Sequence, residues 1–82
     1  MRNKHEMTRR ALISQIIGDE FNCTVTSRKE DDESVVWRFE VDDMPCRIRF
    51  QQFAYMNYSA ARVATLLLTE MAVIRKGLSA KL

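Results

Sequence analysis

Apolar side chains recur along this chain with two different periods, and the change from one to the other divides it into elements. Between Met7 and Ile17, Leu12, Ile13, Ile16 and Ile17 fall at helical spacing and form one stripe. Gly18 is expected to end that helix, because glycine accepts the left-handed conformation that closes one. Asn3 with Glu6, or Thr8 alone, supplies the N-terminal cap, and Glu6 stands four residues before Arg10, where the two pair. The period then becomes two. Phe21, Cys23 and Val25 alternate with Asn22, Thr24 and Thr26. Val35, Trp37, Phe39 and Val41 alternate with Val36, Arg38 and Glu40, and Cys46, Ile48 and Phe50 with Arg47, Arg49 and Gln51. Such alternation predicts strands with one buried and one wet face. The charged run Arg28 to Ser34 and the turn Asp42-Asp43-Met44-Pro45 are short enough to join antiparallel neighbours. From Ser59 to Lys76 the helical period returns. Ala60, Val63, Ala64, Leu67, Met71 and Ile74 share a face, with Leu68 at its margin. Ser59 or Asn57 caps this helix, Arg75 and Lys76 suit its C-terminal dipole, and Gly77 is expected to stop it.

These elements predict an α+β fold: a single α-β-β-β-α domain. Its three-stranded antiparallel sheet, in order 1-2-3, carries two helices packed on one face. The expected ordered core spans residues 7–76, with 1–6 and 77–82 mobile. Val25, Trp37, Phe39, Ile48 and Phe50 are the expected inner face.

Composition narrows the class. With 82 residues, 46% of them apolar and 29% charged, the chain matches one small globular domain and not a disordered tail. Two glycines and one proline exclude collagen-like sequence and argue against a turn-rich sandwich. The net charge of +2 implies no nucleic-acid partner by itself, although Arg2, Lys4, Arg9 and Arg10 at one end and Arg62, Arg75, Lys76 and Lys81 at the other leave the middle acidic. No signal peptide is legible, and no stretch approaches the ~18 apolar residues of a membrane span. A reducing cytoplasm is the expected compartment, since a secreted domain this small would carry several disulfides. Cys23 and Cys46 are expected to face inward on strands 1 and 3, about 10 Å apart, too far for a bridge, as small buried hydrophobes.

Catalytic chemistry finds little to work with. The one histidine, His5, lies near the terminus, and no G-x-S-x-G, phosphate loop, H-E-x-x-H or C-x-x-C occurs. Asp31 and Asp32 are expected at the opposite end of the middle strand from Asp42 and Asp43, too distant for one cation site. No catalytic residue, cofactor or metal is therefore assigned. The open sheet face is more informative. It should display Thr24, Thr26, Val36, Glu40 and Gln51 together with Arg28, Arg38, Arg47 and Arg49. Planar guanidinium groups suit carboxylate or phosphate, so these arginines are candidate contacts with a protein or, alternatively, with nucleic-acid backbone. The linking segment Gln51 to Tyr58 carries Phe53, Tyr55, Met56 and Tyr58, with Tyr55 and Tyr58 as candidate anchors. Leu66 and Val73 lie seven apart, away from the apolar stripe of the second helix, and mark a candidate self-association surface.

The element order resembles that of double-stranded-RNA-binding domains over residues 7–76. That family contacts its duplex through the first helix, a hairpin loop of the glycine-proline-x-histidine type, and a lysine cluster opening the second helix. Here the loop Arg28 to Ser34 is acidic and lacks histidine, and the second helix opens Ser59-Ala60-Ala61-Arg62. The resemblance thus implies a topology and no contact residue. The expected function is a non-enzymatic protein-binding module, such as a small inhibitor or adaptor of phage or mobile-element type. Nucleic-acid binding is the alternative, and a homodimeric regulatory protein the second alternative.

Overall fold

The computed structural model describes residues 4–80, with side chains from Arg9 onward except those at 53 and 55. The element order is α1 (Lys4–Phe21), β1 (Thr26–Lys29), β2 (Ser34–Val41), β3 (Met44–Gln51), α2 (Gln52–Asn57) and α3 (Ala60–Ala80). The antiparallel sheet has the order β1-β2-β3. The predicted α+β plan and strand order are those observed, with a short extra helix before the last one.

Several boundaries differ for identifiable reasons. Gly18 does not end α1. The helix continues to Phe21 and closes at Asn22, whose φ of 53° is left-handed, while the Cys23 N–H donates to the Gly18 carbonyl at 3.1 Å. That is a Schellman closure with asparagine in the left-handed position. Gly18 instead allows a close approach, because a Cβ there would lie 3.0 Å from the Cys23 carbonyl oxygen. The first strand consequently begins at Thr26 and not near Phe21. Phe21, Cys23 and Val25 still pack against the core from the connecting segment. Gly77 lies within α3 and does not stop it. Segment 4–6 is helical, the first residues of α1. Thr8 lies inside α1 and so does not cap it, while the Asn3–Glu6 cap and the Glu6–Arg10 pair rest on Asn3 and on the Glu6 side chain, which are outside what is described.

The hairpin turns explain the sheet's register. Asp42 and Asp43 both have positive φ (52° and 67°) between the paired residues Val41 and Met44. This is a type I′ two-residue turn, whose twist matches that of the strands. Pro45 therefore belongs to β3, opposite Glu40, and not to the turn. Residues flanking such a turn form a doubly hydrogen-bonded pair, and bonded pairs alternate with unbonded ones. Cys46, Ile48 and Phe50 turn their peptide groups toward β2, while Pro45, Arg47, Arg49 and Gln51 turn theirs outward. The missing N–H of Pro45 thus costs the ladder nothing. In the other hairpin, Glu30 N–H donates to Ser34 O at 2.8 Å and Glu33 N–H to Glu30 O at 3.1 Å, with Glu33 at φ 70°. This turn with a left-handed third residue leaves Arg28 and Lys29 in β1, so the loop is shorter than Arg28 to Ser34.

Both long helices cover one sheet face. Ile13 and Ile17 from α1 and Val63, Leu67 and Met71 from α3 bury against Val35, Trp37, Phe39, Ile48 and Phe50. Each fully buried side chain of this size contributes about 1.5–3 kcal/mol. The Trp37 indole N–H donates to the Arg10 carbonyl at 3.2 Å, and an Arg10 guanidinium N–H donates to Ser27 Oγ at 3.1 Å. These contacts hold α1 over the β1 side and leave α3 over the β3 side. The two helices run parallel, because Arg9 bonds the Tyr58 carbonyl at one end and Arg75 pairs with Glu20 at the other. Ser59 caps α3 as expected, its Oγ accepting the Arg62 N–H at 3.2 Å.

Candidate functional site

The opposite sheet face is open, and its register places each candidate arginine. Arg28, Val36 and Arg49 form one row across the strands, and Thr26, Arg38 and Arg47 the next. All the candidate arginines therefore share one face, as alternation requires. Val36 lies on this face yet is only 3% exposed. Arg28 and Arg49 stand on either side of it in the row.

The arginines are not equivalent. Arg49 makes an ion pair with Asp32, and Arg28 lies 4.0 Å from Glu30. Asp32 also accepts the Ser34 hydroxyl at 2.6 Å and the Ser34 N–H at 3.1 Å. These hydrogen bonds, and then the Arg49 charge, hold its carboxyl below the ordinary value of 3.8. The acidic turn thereby neutralises one row of the patch. Arg38 and Arg47 are different. Both are exposed and stand directly opposite one another, and neither has a hydrogen-bonding or ion-pairing partner among the described residues. Like charges placed so are mutually repulsive. With Thr24, Thr26, Glu40 and Cys46 they line an open hollow of about 710 Å³.

Acid flanks this basic row on both sides along the direction of the strands. Glu30, Asp31, Asp32 and Glu33 surround one end of β2, while Glu40, Asp42 and Asp43 lie at the other. The Asp31–Asp32 and Asp42–Asp43 turns thus occupy opposite ends of the middle strand. No group of three or more His, Cys, Asp or Glu side chains that would hold a metal ion occurs among the described residues.

The remaining candidates are placed as follows. Residues 52–57 form α2 and not an open loop. The side chain of Tyr55 lies outside the described residues. Tyr58 is half-buried, with the Arg62 guanidinium 3.9 Å from its ring centroid and Arg9 bonded to its carbonyl, so it is engaged within the fold. Leu66 packs against the core, whereas Val73 is 63% exposed, so the two do not form one exposed stripe. Cys23 and Cys46 are free and only half-buried. Desolvation, and then the nearby Cys46, push the Cys23 thiol above its ordinary value. The Asp32 clamp was missed in the sequence, although its signal was present. An aspartate two residues before a serine at a strand start is the pattern of a side chain closing a turn on the backbone.

Among the described residues no helix is long and apolar enough to cross a membrane. No protein-family model, curated protein or solved structure matches this chain. The likeness to double-stranded-RNA-binding domains accordingly rests on element order alone.

Proposed function

We propose that this protein is a non-enzymatic binding module that recognises an acidic segment of a protein partner, with Arg38 and Arg47 as the electrostatic contacts. The observation that carries this reading is the pair of guanidinium groups held opposite each other with no acid between them. Elsewhere on the same face the fold supplies a carboxylate for each arginine, Glu30 for Arg28 and Asp32 for Arg49. A local rule broken without compensation inside the fold is a mark of function. Carboxylates of a partner would supply the missing counter-charge in fork geometry.

The acidic turns on either side of the row favour protein over nucleic acid. A phosphate backbone carries charge along its whole length and would meet those carboxylates. A short segment whose carboxylates fall beside Arg38 and Arg47 would not. Two free thiols accord with a reducing compartment, and cytoplasmic residence belongs to the same proposal.

The test is affinity capture from the native host with nuclease treatment, using the wild-type chain, the Arg38→Glu/Arg47→Glu double variant and a Lys76→Glu control. The expected result is a nuclease-resistant protein partner held by wild type and control and lost by the double variant. Retention by the double variant, or release by nuclease alone, overturns the reading.

A further inference from the structure

The basic row ends at an open strand edge. β3 pairs only with β2, so its other edge carries no partner strand among the described residues. Arg47 and Arg49 turn their peptide groups toward that edge, and Gln51 its N–H, its carbonyl being taken up as the N-cap of α2. Pro45 presents no N–H there, which confines any added pairing to the stretch from Arg47 to Gln51. We infer that an acidic segment of the protein partner binds here by adding a fourth, antiparallel strand to β3, with acidic and apolar residues alternating. This rests on the reading of the open face given above and specifies how the segment is held.

Charge selects the occupant. On the open side the added strand would place its residues beside Arg47 and Arg49; Asp32 already balances Arg49, so it is the position beside Arg47 that calls for aspartate or glutamate. A second copy of the chain is a poor occupant, because antiparallel pairing of two β3 edges would bring these arginines against their own counterparts. The other side of the added strand meets α3. Ala64 and Arg75 of α3 meet α1, and Val73 falls on the opposite flank of the helix, one side of which Leu66 seals against the core. Val73 is 63% exposed. The alternate positions of the added strand are therefore apolar. Main-chain hydrogen bonds would supply affinity, and the two kinds of side chain would supply specificity.

Nuclear magnetic resonance titration of the full chain with a blocked octapeptide of alternating glutamate and valine tests this. A second octapeptide has the same sequence with N-methylated amides along one edge, and a third is all glutamate. The expected outcome is at least tenfold slower exchange of the Arg47, Arg49 and Gln51 amides with the first peptide. The N-methylated peptide should bind at least tenfold more weakly. Val73→Ser should weaken the alternating peptide several-fold while leaving the all-glutamate peptide unaffected. Binding at Arg38 and Arg47 without protection of those amides, or equal binding of the N-methylated peptide, overturns the added strand and leaves the acidic-segment reading standing. Absence of shifts at Arg38 and Arg47 with all three peptides overturns both.

Discussion

Asn22 occupies a backbone conformation that most residues avoid, and its side-chain type explains why α1 ends there. Its φ of 53° is left-handed, a region open to glycine and, with local hydrogen bonding, to asparagine. A β-branched residue is strained at such a position by roughly 1–2 kcal/mol. Asn22→Val is therefore expected to lower the unfolding free energy by about that amount in urea titration, whereas Asn22→Gly leaves it unchanged or higher. Asp32 makes a different residue-level prediction. Its folded carboxyl is held below 3.8 by Ser34 and Arg49, so its contribution to stability is fully present above the unfolded value. It is lost as pH falls through the lower folded value. Asp32→Asn should be less stable than wild type at pH 7, and the two melting temperatures should converge as the solution is acidified below 3.8. A constant gap across that range would remove the ionised carboxylate from the account of the acidic turn.

Among the elements, those legible in the sequence were those whose periodicity is fixed by burial on one side. β2 and β3 alternate because the two helices cover one sheet face, and α3 shows its stripe because Val63, Leu67 and Met71 all bury. The first strand was misplaced because alternation reports which way side chains point, not whether the backbone is paired. Phe21, Cys23 and Val25 do face inward, but from a helix end and a connecting segment, and Phe21 stacks on Phe39 with ring centroids 5.4 Å apart. The glycines misled for a related reason. A glycine inside a helix weakens it by about 1 kcal/mol relative to alanine but does not break it when the helix is packed. At Gly18 the residue accommodates a nearby carbonyl, whereas at Gly77 nothing lies within 4 Å of the site of an added Cβ. Gly77→Ala should thus raise stability by about 0.5–1 kcal/mol, measured by chemical denaturation, with no change in binding. The short helix α2 escaped notice because six residues contain too few turns to establish a period.

Across the whole molecule, the arginine-bearing face was legible, because shared orientation follows from the period of two. Which of its arginines are neutralised was not, since that depends on how a turn folds Asp32 back onto Arg49. The difference has an energetic signature that separates the two rows. Arg38 and Arg47 repel each other in the free protein, so Arg47→Glu should replace that repulsion with an attraction across the strands. A gain of about 0.5 kcal/mol is expected, which for a domain of this size is a rise of roughly 2–4 °C in melting temperature. Arg49→Glu should do the reverse, because it removes the counter-charge of Asp32 and sets a new carboxylate against it. Both effects should shrink in 1 M salt, where screening acts over about 3 Å. Measured together with partner capture, Arg47→Glu is then more stable than the natural chain yet unable to bind, whereas Arg49→Glu loses stability. A residue kept for solubility alone would show no such opposition, so a fall in melting temperature for Arg47→Glu would mean that the free protein already balances this charge internally.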